Sequence, residues 1–270
     1  MLNIVLLGAG RVASQLGPAL VRAGHRVPYV WSRTLASAQV LAEALPGAEA
    51  GTGLDLSDRR ADLYLIAAPD AAVPALLAEA RFPTTALVAH TSGAVPLAVF
   101  APYAGLRGGV FYPLQTFSLE RQVNWQTVPL CIEAADAAAE AMLLGLAHEL
   151  SQQVARVATP QRQALHVAAV FACNFPNHLL GISHTLLTEA GLSFALLEPL
   201  VRETIDKAFQ HPPFTVQTGP AARHDEPTLV RHQAALAEHP EWLQLYKSLT
   251  DSVKAQTVAT APNNQGDVQL

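Results

Sequence analysis

Two groups of residues combine types and spacing that could do chemistry. The first opens the chain, where the apolar run Asn3–Leu7 leads into Gly8-Ala9-Gly10-Arg11-Val12-Ala13 and a helical pattern that reaches Gly17 and Leu20. Gly8 permits a tight turn between strand and helix, Gly10 lets the backbone approach a ligand, and Ala13 keeps the helix close to the sheet. The free N–H groups and dipole of the helix N-terminus then favour an anion. The second group is a polar stripe in a long apolar segment. His166, Cys173 and Asn177 share one helical face at about 100° per residue, with Asn174 roughly 80° from His166. Buried polar groups need partners, which a bound ligand, a neighbouring helix or a dimer interface would supply. An imidazole such as that of His166 can also exchange a proton near neutral pH.

The order strand, glycine turn, helix at Gly8 to Ala13 is that of a dinucleotide-binding βαβ unit, with the diphosphate at the helix N-terminus. An acid at the end of the second strand, about 20 residues on, would bind a ribose 2′-hydroxyl. Here the sequence is Trp31-Ser32-Arg33-Thr34, in which Ser32, Arg33 and Thr34 offer a guanidinium and two hydroxyls to a 2′-phosphate. The expected cofactor is therefore NADP(H) rather than NAD(H). The alternative is a solvated Arg33 and a helix cap at Ser32 or Thr34, and capping can coexist with phosphate binding.

Later strand ends complete the crevice of an open α/β sheet. Ala67, Ala68 and Pro69 are placed to skirt a ribose, and Asp70 reads as a helix N-cap. His90, Thr91, Ser92 and Gly93 follow another strand, where the nicotinamide end is expected. Tyr112-Pro113-Leu114-Gln115-Thr116-Phe117 reads as a loop leaving the sheet edge. The run from Gly219 to Asp225 reads as a helix cap with a salt bridge, and Arg162, Arg202 and Arg223 as surface charges. Ten histidines are present without HxH or HExxH spacing, so no metal site is expected.

These residues need a scaffold, and the chain alternates strand and helix patterns through about residue 158. Strands are expected at 3–7, 26–31, 63–67, 85–89, 128–133 and 154–158, with helices at 12–23, 36–45, 72–79 and 136–150. This is an α/β, doubly wound Rossmann pattern with a parallel sheet. From Pro160 helical patterns dominate, over 161–190, 193–210, 227–238 and 241–258, with Pro176 expected to kink or divide the first. The expected organisation is a cofactor-binding domain at 1–158, an all-helical dimerisation and substrate domain at 159–260, and a disordered tail at 261–270.

The chain has 270 residues, half of them hydrophobic and 14% charged, enough for a sizeable core. Its net charge of -5 argues against nucleic acid or an anionic membrane surface as partner. Cys131 and Cys173 are the only cysteines and read as buried thiols in a reducing compartment. No signal-peptide pattern opens the chain, and the apolar stretch 164–175 is too short to span a bilayer, so a cytoplasmic protein is expected.

The glycine turn, His90-Thr91-Ser92-Gly93, the 111–117 run, the segment from His166 to Phe175 with Asn177-His178, and Thr218-Gly219-Pro220-Ala221 together resemble one family across nearly the whole chain. Its members couple a Rossmann-like NADP-binding domain to a helical C-terminal domain of unknown function, and carry the label of NADP- or deazaflavin-dependent oxidoreductases. More distantly the layout is similar to pyrroline-5-carboxylate reductases and to the 6-phosphogluconate and β-hydroxyacid dehydrogenases, which implies a homodimer built through the helical domain. The β-hydroxyacid enzymes use a lysine followed four residues later by asparagine on the interdomain helix, and 161–190 contains no lysine. His166 with Asn174 is the nearest substitute, at a different spacing.

The expected function is reduction of a carbonyl or imine of a small metabolite by NADPH. His166 would donate the proton, and Asn174, Ser92 and Thr91 would orient the substrate. The alternatives are an NADP(H)-binding sensor or assembly protein without catalysis, and a reductase using deazaflavin and NADP together.

Overall fold

A computed structural model describes residues 1–119 and 121–260, so the expected tail at 261–270 lies outside the described residues. Eight strands form one sheet in the order β3-β2-β1-β4-β5-β6-β7-β8. They are β1 Asn3–Leu7, β2 Arg26–Trp31, β3 Glu49–Gly51, β4 Leu63–Ile66, β5 Leu87–His90, β6 Arg107–Pro113, β7 Leu130–Ala134 and β8 Val154–Arg156. Four helices accompany them: α1 Arg11–Arg22, α2 Leu35–Glu43, α3 Val73–Glu79 and α4 Ala137–Leu150.

The inner strands are apolar throughout because both faces are covered. Ile4 and Leu6 pack with Leu16 and Leu20 of α1, Leu41 of α2 and Leu143 of α4, while Val5 and Leu7 point the other way, toward Val73, Leu76 and Leu77 of α3. The sequence order changes direction between β1 and β4, which opens a crevice at their C-terminal ends.

The sheet departs from all-parallel at one place. β7 runs antiparallel to β6, with Tyr112 opposite Cys131 and Val110 opposite Glu133. Among its described residues the 114–129 connection holds no crossover helix, and only a parallel neighbour requires one. β6 itself is hidden in the sequence because it opens Arg107-Gly108-Gly109. Those glycines make room for their neighbours. A Cβ on Gly108 would sit 2.5 Å from the Phe100 ring, and one on Gly109 would sit 2.6 Å from Leu143. Tyr112 and Pro113, read from sequence as loop, are therefore buried strand residues.

After β8 the chain becomes helical: α5 Thr159–Ala169, a wide turn Val170–Asn174, α6 Phe175–Glu189, α7 Glu198–Gln210, α8 Glu226–Ala235 and α9 Pro240–Thr260. The wide turn is π-helical, closing i→i+5, directly before Pro176. Pro176 has no N–H to give Ala172, and the extra residue in the turn absorbs that mismatch. The uniform 100° spacing assumed for His166, Cys173 and Asn177 does not hold across it. Cys173 lies on this turn and is exposed, not buried as its residue type led one to expect.

The continuous run Thr159–Glu189 spans 31 residues and by length and composition alone could cross a bilayer, a test that a long helix of a soluble protein also passes. Two compact units result, one ending at Phe175 and the other beginning at Pro176, so α5 and the wide turn go with the sheet. In the second unit Leu229 and Leu236 are buried, whereas Leu200, Phe209 and Phe214 are exposed. Asp225 caps α8 by accepting from the Thr228 N–H at 3.2 Å.

Candidate functional site

The crevice begins at Gly8. Its φ is +133°, its N–H donates to the Trp31 carbonyl at 2.8 Å, and a Cβ there would lie 2.2 Å from the Ala67 carbonyl oxygen. Only glycine lets the turn pass this close to the end of β4. Gly10 differs. It is exposed, and an added Cβ would meet nothing within 4 Å, so nothing within the chain demands glycine there. Gly10 is the N-cap of α1, no side chain caps the helix, and no acid stands in its first turn. Ala13, fully buried, seats the helix on the sheet, with Arg11 exposed and Ala9 and Val12 half-buried around the turn. Open backbone, free N–H donors and the absence of an acid fit a diphosphate.

At the end of β2, Arg33 is exposed and Ser32 half-buried. Thr34 caps α2, accepting from the Ser37 N–H at 3.4 Å and donating to the Ser37 hydroxyl at 2.8 Å. The capping reading of Thr34 is thus realised, while the Arg33 guanidinium has no ion-pair partner among the described residues. Beyond β4, Ala67 is buried, Ala68 half-buried and Pro69 exposed. Asp70 does not cap a helix. Pro69 precedes the short turn in which Asp70 is the first residue, and its carboxylate makes no capping bond.

The ends of β5 and β6 carry the densest polar group. His90 is fully buried, its ring stacked on Phe100 with centroids 5.8 Å apart, and Nδ1 accepts from the Ser92 N–H at 3.2 Å. Burial, with the neighbouring Arg162 charge, lowers its pKa from 6.5 to about 4, so the ring is neutral. The Thr91 hydroxyl donates to the Ile66 carbonyl at 3.3 Å. Ser92 Oγ accepts from the N–H groups of Ala94 and Val95 at 3.0 and 2.9 Å, which shapes the turn and leaves its own proton free to donate. Gly93 has no room for a side chain, because a Cβ would lie 2.7 Å from both His166 Nδ1 and Tyr112 Cζ.

His166 and Tyr112 are themselves bonded. The Tyr112 hydroxyl lies 3.2 Å from His166 Nδ1. Burial, then Cys131 and Asp70, push the Tyr112 pKa up to about 12, against the opposing effect of Arg162. The phenol therefore keeps its proton at any physiological pH. Asn174, by contrast, is exposed on the wide turn, and Asn177 and His178 are exposed in the first turn of α6.

What holds His166 here is a buried ion pair. Arg162 is fully buried, not a surface charge. Its guanidinium donates to Glu133 of β7, to the Val95 carbonyl at 2.7 Å and to Thr159 Oγ1 at 3.3 Å. Glu133 also accepts from the Thr159 N–H at 2.9 Å and from its hydroxyl at 2.8 Å. Burial alone would raise the Glu133 pKa, but these donors outweigh it and hold it below the usual carboxylate range. The pair ties the first turn of α5 to both β7 and the 92–95 turn. One turn along the helix, on the same face, stands His166.

Comparisons with known proteins match this anatomy. Residues 1–115 match a Rossmann-like domain model, and residues 128–253 match the model described as Domain of unknown function (DUF2520). A Bacteroides fragilis protein, provisionally named an NADP oxidoreductase in its crystal structure, is 38% identical, with 94% of this chain and 98% of that one covered and a TM-score of 0.83. The chain belongs to this family of Rossmann-like proteins with a DUF2520 domain. Below the family level, a reductive aminase from Aspergillus terreus, in complex with NADPH and ethyl levulinate, shares the fold at 17% identity, TM-score 0.70, with 96% and 95% covered. A 1-pyrroline-5-carboxylate reductase from Streptococcus pyogenes does so at 14%, TM-score 0.59, with 94% and 98% covered. No curated protein matches the sequence.

His166, Ser92 and Thr91 were legible as site residues in the sequence, whereas Tyr112 and Arg162 join them only in the fold. Tyr112 is 54 residues from His166 in sequence. The available signal was Arg162 itself, four residues before His166 on the same helix face.

Proposed function

We propose that this family member is an NADPH-dependent oxidoreductase that reduces a carbonyl or imine of a small metabolite. One observation carries the reading. The open glycine turn and the Tyr112–His166 pair beside Gly93 both lie at the C-terminal ends of the parallel strands, the edge where this class of sheet binds its ligands.

Gly8, Ala9, Gly10, Arg11, Val12 and Ala13 would hold the diphosphate of the cofactor. Arg33, with Ser32 and Thr34, would hold the 2′-phosphate, and Ala67, Ala68, Pro69 and the turn after His90 would flank the rest. NADPH, when bound, supplies a hydride from its nicotinamide. The chain's own task is to place the acceptor and deliver a proton: His166 is the donor, and Ser92, Thr91 and Asn174 orient the substrate. The likeness to the B. fragilis protein, named an NADP oxidoreductase, and to the A. terreus reductive aminase, which binds NADPH, supports this reading.

The exposed Leu200, Phe209 and Phe214 of the helical region favour a homodimer, each helical domain (159–260) completing the other, and the location proposed with it is the cytoplasm. The test is NADPH oxidation against a panel of ketones, aldehydes and cyclic imines. Turnover that falls in His166→Ala and Asn174→Ala supports the assignment, and turnover unchanged in both removes it. Tight NADPH binding with no acceptor oxidising it would instead favour a sensor.

A further inference from the structure

We infer that Tyr112 and His166 form a two-membered proton relay, in which Tyr112 fixes the tautomer of His166 and replenishes the proton that His166 gives up. The inference rests on the reductase reading for its chemistry, but its geometric half stands apart from it.

Tyr112 Oη and His166 Nδ1 are 3.2 Å apart, and their rings meet edge to face with centroids 6.1 Å apart. A hydroxyl donates one proton and an imidazole nitrogen accepts one, so a single bond must choose its direction. The phenol is the stronger acid and the imidazole nitrogen the stronger base, which makes Tyr112 the donor. His166 Nδ1 is then the acceptor, and its proton sits on Nε2. No partner for Nε2 stands among the described residues, and it is not a fully buried orphan. That nitrogen is the one free to meet a ligand.

The surroundings hold the pair in this state. Tyr112 belongs to β6 and His166 to α5, and the residue between them is Gly93, whose missing side chain lets them touch. The groups acting on Tyr112 come from every element around it: Cys131 opposite it on β7, Asp70 beyond β4, and Arg162 on α5. Cys131 is neutral because burial pushes its thiol up. Arg162 is the cation of the set, and it eases formation of a phenolate.

The Nε2 proton passes to the oxygen or nitrogen of a carbonyl or imine whose carbon receives a hydride from a reduced nicotinamide, giving an alcohol or amine and the oxidised nicotinamide. Nδ1 takes the Tyr112 proton at the same time, so the imidazole stays neutral and changes tautomer. The phenolate left behind is eased by the Arg162 charge and regains its proton from water. Without Tyr112, Nδ1 loses its bonded proton source and the Nε2-protonated tautomer is no longer held, so the reaction would slow at the proton-transfer step.

The test uses the full-length protein labelled with ¹⁵N-histidine. Long-range ¹H–¹⁵N spectra should show His166 with an unprotonated Nδ1 and a protonated Nε2, and Tyr112→Phe should shift that tautomer balance. Tyr112→Phe removes one oxygen and keeps the ring. Gly93→Ala, whose Cβ would intrude 2.7 Å from both partners, should disturb the same resonances by a separate route. With any acceptor that the protein reduces, Tyr112→Phe should lower kcat by about 10²-fold at nearly constant KM, the usual size of a positioned acid. The variant lacking both Tyr112 and His166 should then be no slower than His166→Ala alone. A proton on Nδ1 in the wild type, or a tautomer unmoved by Tyr112→Phe, overturns the relay. A wild-type kcat in Tyr112→Phe overturns it as well. If no acceptor is ever reduced, the reductase reading falls, and the tautomer spectra alone decide whether Tyr112 sets His166.

Discussion

Replacing Arg162 with methionine should destabilise the protein far more than removing both partners of its ion pair. The side chain is fully buried and makes bonds to Glu133, to the Val95 carbonyl and to Thr159. Arg162→Met leaves the Glu133 carboxylate, 17% exposed, without its cation, and strands a backbone carbonyl. Breaking one side of a buried pair costs about 3–5 kcal/mol. At roughly 2–4 °C per kcal/mol for a chain of this size, Tm should fall by about 10 °C. The double variant Arg162→Met/Glu133→Leu should recover most of this, retaining a loss of about 1–2 kcal/mol because Thr159 forfeits two bonds to Glu133. Urea unfolding followed by circular dichroism on the wild type, both single variants and the double closes the cycle. A loss below about 1 kcal/mol for Arg162→Met, or a double variant whose loss equals the sum of the singles, would refute the role assigned to the pair.

Three further outcomes follow from the same geometry. Gly8→Ala should cost at least about 1–2 kcal/mol from the left-handed backbone alone, and more from its approach to Ala67, whereas Gly10→Ala should melt like the wild type yet bind NADPH at least about 10-fold more weakly. Calorimetry and thermal melts separate the two, and equal melting points would contradict the account. His90 is neutral in the fold, with a pKa of about 4 against 6.5 when unfolded, so below pH 6.5 the unfolded chain gains a proton that the folded one refuses. Stability should therefore drop between pH 6.5 and 4, by at most about 3 kcal/mol, and His90→Leu should flatten that part of the curve. An unchanged slope would show that the ring is not held neutral. Glu133 has its pKa depressed, so its contribution is present at neutral pH and is lost only as pH falls through that lowered value, a decline the His90 variant should keep.

The opening strand, glycine turn and first helix were legible because each residue there serves a local rule: an apolar run buried on both sides, a positive φ at Gly8, a small residue at Ala13. The helical half was equally legible as helix. β6 was not, since Gly108 and Gly109 erase its pattern in order to admit Phe100 and Leu143, and that demand comes from residues distant in sequence. Arg162 was misread for a related reason. An arginine is usually a surface residue, and only Glu133, 29 positions away, explains its burial. His166 could be singled out by its apolar helix, but its partner Tyr112 lay in a strand that went unrecognised. The angular relation between His166 and the polar residues after it also failed, because the wide turn before Pro176 breaks the helical count.

The central claim is that the glycine turn and Arg33 together form an NADP(H) site. Calorimetric titration of NADPH and NADH into the wild type and Arg33→Ala tests it most directly. NADPH should bind about 10-fold or more tightly than NADH, the worth of one exposed charge-assisted contact to the 2′-phosphate, and Arg33→Ala should bring the two together. Failure of both nicotinamide cofactors to bind the wild type, or an NADPH preference that survives the loss of Arg33, would contradict it.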